Sequence, residues 1–480
     1  MIIGSGFSGL GMAIRLKQAG RHDFVILEKA EDLGGTWRDN TYPGCACDIP
    51  SYLYSFSFAQ NPRWSRMFSP QPEIFDYLKD CVRRHGLEPH LRYGARVVRA
   101  LFDHTAGEWE VEVEGSESLL GRVLVAGVGA LHLPRTPDLP GRETFAGSTF
   151  HSAAWRHDRD LSGQRVAVVG TGASAVQVVP AIAERVAHLD VYQRTPAWVI
   201  PKPDRPINRS ERRLYERHPF AQRVMRDLVY WNLEARGAGF TVSPKLQPMA
   251  ERVSRRHLEK QVPDPGLRAR LTPDYQMGCK RVLPSSAFYP ALQRPQVDLV
   301  TEGISCLTRG GIRDIEGTER AADTIVFATG FDVRANLRQI EIIGSGGASL
   351  EAIWDREGLN AHLGIMVSGF PNLFLLLGPN TGLGHSSVVF MIEAQVAFVL
   401  RALRLLDESG GRQIDVHAGA QRRSVRAVQK RLAGTVWQSG CRSWYLDESG
   451  RNDTIWPRST VHYWLAVRLM RRRDYSLTGG

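Results

Sequence analysis

Two apolar runs, each broken by a glycine cluster and followed by a helical pattern, organise this chain. The first is Ile2-Ile3, entering Gly4-Ser5-Gly6-Phe7-Ser8-Gly9; beyond it Leu10, Met12, Ala13 and Leu16 fall on one helix face, predicting an amphipathic helix over 10–19. Phe24-Val25-Ile26-Leu27 then reads as a second buried strand, and it ends in Glu28. The pattern returns at Arg165-Val166-Ala167-Val168-Val169, which enters Gly170-Thr171-Gly172-Ala173-Ser174-Ala175 and a helix through Gln177 and Val178. Its next strand, Leu189 to Tyr192, ends in Gln193-Arg194-Thr195. Near-continuous apolar runs of this kind predict strands of parallel sheets, covered on both faces by helices.

Between and after these units the pattern changes. Residues 201–271 lose the strand signal and carry helical stretches such as Arg213 to Arg236, with Leu214, Val224, Leu228, Val229, Trp231 and Leu233. Asp323 to Phe327 is a strand running into Ala328-Thr329-Gly330, and Pro371 to Leu377 a strand running into Gly378-Pro379-Asn380, with a helix from Ser386 through Glu393. The expected fold is α/β, with two Rossmann-like dinucleotide-binding domains and a helical insertion. The division predicted is 1–144 first domain, 145–158 linker, 159–200 second domain, 201–271 helical insertion, 272–335 second domain resumed, and 336–480 first domain resumed with a tail. No repeat or low-complexity tract interrupts the chain.

Composition narrows this picture only modestly. With 480 residues, 43% hydrophobic and 23% charged, the chain is long enough for two or three domains with real cores. No run of about 18 apolar residues and no signal-peptide pattern occurs, so a cytoplasmic protein without membrane contact is expected. The net charge of +11 is spread as Arg over many segments, densest at Arg252 to Lys260 and Arg471-Arg472-Arg473. Solvated faces and attraction of a polyanionic cofactor are expected of it, and a nucleic-acid partner is not. The six cysteines include no Cys-x-x-Cys pair, so neither a structural disulfide nor a metal site is expected. The strand before Gly4 has three residues, against the usual five or six or so, which predicts a true start upstream of Met1.

The glycine loops carry the first candidate chemistry. Gly4 permits a tight turn, Gly6 lets the backbone approach a pyrophosphate, and Gly9 lets helix and strand pack closely. An acid at Glu28 would accept from ribose hydroxyls and repel a 2′-phosphate, so the first loop suits FAD. Arg194 in the corresponding place can grip a 2′-phosphate, so the second suits NADPH. One such loop is weak evidence, since a chance match is expected about 0.4 times in a chain of this composition.

Two longer strings are more specific. Gly34-Gly35-Thr36-Trp37-x-x-x-x-Tyr42-Pro43-Gly44-x-x-x-Asp48 and Phe145-x-Gly147-x-x-x-His151-x-x-x-Trp155 resemble the signatures of Baeyer–Villiger monooxygenases, within the class B flavoprotein monooxygenases; Arg156 stands where that family has Pro or Asp. By composition alone the first string would arise by chance on the order of once in 10⁵ such chains. The resemblance implies FAD at Gly4, Gly6, Ser8, Gly9, Glu28, Gly35, Thr36, Trp37, Asp48, Tyr54 and Val97, with Asn380 and Val388 at the flavin's pyrimidine edge. It implies NADPH at Gly170, Thr171, Gly172, Ala173, Ser174, Ala175, Gln177, Arg194, Thr195 and Lys280. Arg281, beside Lys280, is placed over the flavin with Asp48 orienting it, and His151 is placed at the interdomain hinge; a direct acid or base role for His151 is the alternative.

The implied reaction is NADPH- and FAD-dependent insertion of one oxygen atom of O2 next to a ketone carbonyl through a C4a-peroxyflavin. N- or S-oxygenation of an amine or sulfide is the alternative. The helical insertion is expected to cap the substrate channel, or else to lie as an amphipathic helix on a membrane surface, and the tail Trp437 to Trp456, including Gly440-Cys441-Arg442-Ser443-Trp444-Tyr445, to pack near the channel mouth. Two other classes share parts of this pattern. A flavin disulfide reductase would need a cysteine pair beside the flavin, and Cys45/Cys47 have the wrong spacing. A non-enzymatic flavoprotein would be distinguished by its flavin content.

Overall fold

The computed structural model describes residues 1–241, 247–441 and 443–478. Two five-stranded parallel sheets form its centre. The first runs Leu373–Leu375, Leu124–Ala126, Ile2–Ile3, Ile26–Leu27, Leu91–Arg92. The second runs Val297–Val300, His188–Tyr192, Arg165–Val169, Thr324–Phe327, Ser148–His151. In both sheets the strand that feeds the glycine loop lies centrally, so the loop opens at the carboxyl ends of its neighbours, where α/β sheets bind ligands.

The helix after the first loop spans Phe7–Gln18, beginning three residues before its apolar periodicity, and Phe7 to Ile14 are all buried. Helix and strand meet so closely that a side-chain carbon at Gly9 would lie 1.8 Å from the Gly4 carbonyl oxygen. Leu373–Leu375 pairs with Leu124–Ala126, so a segment about 250 residues downstream returns to the first sheet. It leads to a helix, Val388–Ser409, whose first turn is capped by Ser387 Oγ accepting from the Val389 amide.

A further sheet joins Val97–Asp103, Glu108–Val113 and Leu119–Gly121 in antiparallel fashion, with Glu341–Ile343 added in parallel. Its middle strand, Glu-Trp-Glu-Val-Glu-Val, alternates exposed and buried positions, the mark of a sheet wetted on one face. The helical insertion consists of Arg209–Arg217, Pro219–Thr241, Gln247–Gln261 and Pro265–Arg270. The long helical stretch expected over Arg213 to Arg236 is broken at His218, because the residue before a proline is pushed out of the helical region.

One expectation is overturned. Cys279 and Cys441 are joined in a disulfide, Cα atoms 6.3 Å apart and 162 residues apart in sequence. A pairing across that distance leaves no local spacing to read. It ties the tail to the segment carrying Lys280 and Arg281. Among the described residues no helix is long and apolar enough to cross a membrane.

Candidate active site

Against the first sheet lies a cavity of about 350 Å³. Its walls bring together Gly4, Gly6 and Ser8 of the loop, Glu28, Gly35, Thr36 and Trp37, Tyr54, Val97, Arg281 and Val388. Backbone-lined walls of this kind fit a pyrophosphate-bearing cofactor: Gly6 faces Gly35 across so small a gap that a side-chain carbon on Gly35 would sit 3.4 Å from the Gly6 Cα. Gly9 stands behind the wall and sets the helix against the strand.

Glu28 is 4% exposed. Its Oε2 accepts from the Ser5 amide at 3.0 Å and the Ser5 hydroxyl at 2.7 Å, and its Oε1 from the Ala30 amide at 3.1 Å and Arg38 Nη1 at 3.0 Å. Burial pushes its pKa up, but these bonds and Arg38 outweigh that and hold it below the usual carboxylate value. Glu28 is therefore a fixed negative charge at the cavity wall, locked before any ribose arrives.

Asp48 follows the Tyr42-Pro43-Gly44 turn, where Gly44 has φ 80° and backs onto the Gln177 carbonyl. One oxygen of Asp48, Oδ2, accepts from Arg281 Nη2 at 2.6 Å and Nε at 3.0 Å. Asp48 pushes the guanidinium further above its ordinary value, against the opposing effect of burial, so it stays charged throughout the accessible pH range. Tyr445 lies close enough to influence both groups, and its buried hydroxyl has no hydrogen-bond partner among the described residues. The tail thus reaches this cavity: Trp444, Asp453 and Thr454 all line it. Arg442, within the same expected segment, lies outside the described residues.

Cys45 and Cys47 are buried free thiols, and burial raises Cys45 to about 11 and Cys47 further still. Neither forms thiolate readily, which argues against a redox pair.

His151 ends the strand paired with Thr324–Phe327, at the junction of the linker string and the Ala328-Thr329-Gly330 turn. It is buried, packs edge-on against Phe331 with ring centroids 5.7 Å apart, and accepts from the Ala153 amide through Nδ1 at 3.1 Å. Burial lowers its basicity. It does not line the cavity.

At the second loop, Gly170 has φ 113°, Thr171 Oγ1 donates to the Thr195 carbonyl at 3.2 Å, and Ala175 opens the helix Ala175–Ile182. Gly172, Ala173 and Ser174 form the loop's outer edge; a side-chain carbon on Gly172 would meet nothing within 4 Å. Arg194 is exposed and Lys280 half-buried. Burial and then Arg194 lower the Lys280 ammonium, so the two cations feel each other. Among the described residues neither has a carboxylate at ion-pair distance, and a phosphate would satisfy both.

Two residues expected at cofactor contacts do other work. Gln177 accepts from Tyr42 Oη at 3.0 Å and donates to the Ala46 carbonyl at 2.9 Å, clasping the second domain's helix to the loop that bears Asp48. Asn380 does not line the cavity; its amide donates to the Asn452 and Ile455 carbonyls at 2.9 and 3.2 Å and pins the tail. Sequence reasoning missed a group of ligand-type atoms at His188, Asp190 and Asp298, all within 4.8 Å of one another. Arg320 Nη1, 3.3 Å from both carboxylates, already supplies the positive charge there. It also missed the buried pair of Glu234 and His385, 3.1 Å apart, which bonds the helical insertion to the loop before Val388.

Comparison with known proteins agrees with this geometry. Residues 2–70 match the model of the NAD(P)-binding Rossmann-like domain, and residues 50–205 that of L-lysine 6-monooxygenase/L-ornithine 5-monooxygenase. The chain is 46% identical over 479 residues to a Baeyer–Villiger monooxygenase of Pseudomonas aeruginosa, covering 99% of this chain and 91% of that one. A Baeyer–Villiger monooxygenase of Streptomyces coelicolor matches equally, at 46% over 99% and 92%. Among solved structures, an oxidised steroid monooxygenase bound to NADP aligns with TM-score 0.89 at 28% identity, covering 100% and 99% of the two chains. Cyclohexanone monooxygenase from Rhodococcus sp. Phi1 bound to NADP+ aligns with TM-score 0.89 at 26% identity, over 100% and 98%. The chain belongs to the Baeyer–Villiger monooxygenase family, the α/β flavin monooxygenases that use FAD and NADPH.

Proposed function

We propose that Arg281, held by Asp48 at the wall of the flavin cavity, directs this enzyme's oxidation onto the carbonyl carbon of a small-molecule ketone. The overall reaction is ketone, O2, NADPH and a proton giving ester or lactone, NADP+ and water. FAD, reduced by NADPH, supplies the activation of O2. The observation that carries the reading is the doubly hydrogen-bonded Arg281–Asp48 pair beside the nucleotide loop.

A permanent positive charge at that place stabilises negative charge developing on oxygen as the new carbon–oxygen bond forms. Asp48 fixes the direction of the guanidinium and does not itself exchange protons. Glu28, kept ionised by Ser5, Ala30 and Arg38, would face the flavin nucleotide's ribose, while Trp37, Tyr54, Val97 and Val388 would exclude water around the ring. Lys280 and Arg194 hold the NADPH 2′-phosphate. His151 sets the hinge through its place between the linker and the second sheet. The strand that returns at Leu373 to the first sheet supports assigning the last part of the chain to the first domain, whereas the segment 145–158 expected as a linker carries Ser148–His151, an edge strand of the second sheet.

The match over residues 50–205 to the model of L-lysine 6-monooxygenase/L-ornithine 5-monooxygenase, whose named substrates are amines, supports a second reading, oxygenation of nitrogen. Products separate the two. Incubation of FAD-loaded enzyme and NADPH under isotopically labelled O2 with ketones, sulfides and amines should yield an ester carrying one labelled atom. Labelled N-oxide or sulfoxide without ester would overturn the ketone reading.

A further inference from the structure

The helix Pro219–Thr241 has two faces of opposite use. Its inner face is buried: Arg226 donates to the carbonyls of Tyr52, Leu53 and Ser55, Tyr230 bonds Thr460, and Glu234 bonds His385. These contacts hold the helix over segments whose neighbours Tyr54, Leu383 and Val388 line the flavin cavity. The outer face should then be polar, and it is not. Phe220, Val224, Leu228 and Trp231 recur at i, i+4, i+8 and i+11, and are 75%, 41%, 61% and 60% exposed. An apolar stripe of this length on a soluble surface marks an interaction site.

The charge around the stripe selects its occupant. Across the helices Arg209–Arg217, Pro219–Thr241 and Gln247–Gln261, nine exposed basic residues stand against three exposed acidic ones. Arg223 precedes Val224 on the same helix, Arg213 and Arg217 are exposed on the helix before it, and Asp227 is the one exposed acid on the stripe's own helix. A second copy of the chain would bring two basic rims together, which is unfavourable. An anionic lipid surface offers both an apolar interior for the stripe and negative headgroups for the arginines. Among the described residues no helix can cross a bilayer, so the mode is lying on the surface.

We propose that the outer face of the Pro219–Thr241 helix docks the enzyme on anionic membrane surfaces. Insertion of the stripe leaves the buried inner face, and with it the cavity wall, undisturbed. The orientation places the helical insertion against the bilayer, where lipophilic ketones concentrate.

The test is co-sedimentation of the full FAD-loaded chain with phosphatidylcholine vesicles, with and without phosphatidylglycerol. Binding is expected only with phosphatidylglycerol and should weaken as salt is added. Leu228→Glu or Phe220→Glu should weaken partitioning about tenfold or more, with flavin content and NADPH oxidation on a water-soluble ketone unchanged. Absence of binding at low salt, equal binding to neutral vesicles, or binding indifferent to both substitutions overturns the proposal. So does a dimer in light scattering that Leu228→Glu disperses without any vesicle binding, which would assign the stripe to a contact between copies.

Discussion

At the first nucleotide loop the residue after the second strand is Glu28, 4% exposed and bonded on both oxygens; at the second loop the matching position is the buried Gln193, and Arg194, one residue further on, is exposed and, among the described residues, without a carboxylate partner at ion-pair distance. The first loop lines the cavity against the first sheet, whereas the outer edge of the second stands open. The same turn therefore serves two uses. A finished, internally satisfied site suits a cofactor that stays, and an open site with unpaired cations suits one that enters, gives up hydride and leaves.

The largest break in that comparison should come from Gly9. Its packing leaves no room for a methyl group, so Gly9→Ala should destabilise the first domain by more than about 3 kcal/mol and abolish FAD retention, read as melting temperature and bound-flavin absorbance. Gly172→Ala, with open space around it, should leave both unchanged and raise KM for NADPH about tenfold, because there it is the ligand's pyrophosphate that needs the gap. Equal loss of flavin in both variants would erase the distinction drawn between the loops.

A smaller effect is expected from the cations. Lys280→Ala with Arg194→Ala should raise KM for NADPH about 10- to 100-fold, leave KM for NADH nearly unchanged, and leave flavin content intact. An equal loss for both coenzymes would remove the 2′-phosphate from the assignment.

The smallest concerns pH. The native Glu28 carboxyl is held below its ordinary value of 4.5, so its stabilising contribution is complete above pH 4.5 and is lost as pH falls through the native value. Glu28→Gln should flatten that part of the acid limb of flavin release. A limb unchanged by the substitution would assign the acid sensitivity to another group.

Much of this organisation was legible because it is local. Glycine loops, apolar runs and the Tyr42-Pro43-Gly44 turn are written within a few residues, whereas Arg281 is paired with Asp48 only through the family resemblance. What escaped was decided by partners remote in sequence. The Cys279–Cys441 bridge spans 162 residues, Asn380 bonds the tail rather than lining the cavity, and Gln177 clasps Tyr42 and Ala46 across the domain boundary. The antiparallel sheet around Glu108–Val113 did carry a signal, its strict alternation, which a search for continuous apolar runs passes over. The family resemblance brings the tail, Tyr445 included, toward the channel mouth, but that Tyr445 comes beside Arg281 is decided only in the fold.

The central claim is that Arg281 selects the ketone pathway without being needed for flavin reduction. It is tested most directly by the yield of ester per NADPH consumed in Arg281→Ala and Asp48→Asn. Arg281→Ala should lower ester formation by at least about 100-fold while NADPH oxidation continues and releases hydrogen peroxide, with Asp48→Asn intermediate. Ester formation in Arg281→Ala at the rate of the unaltered enzyme would contradict it.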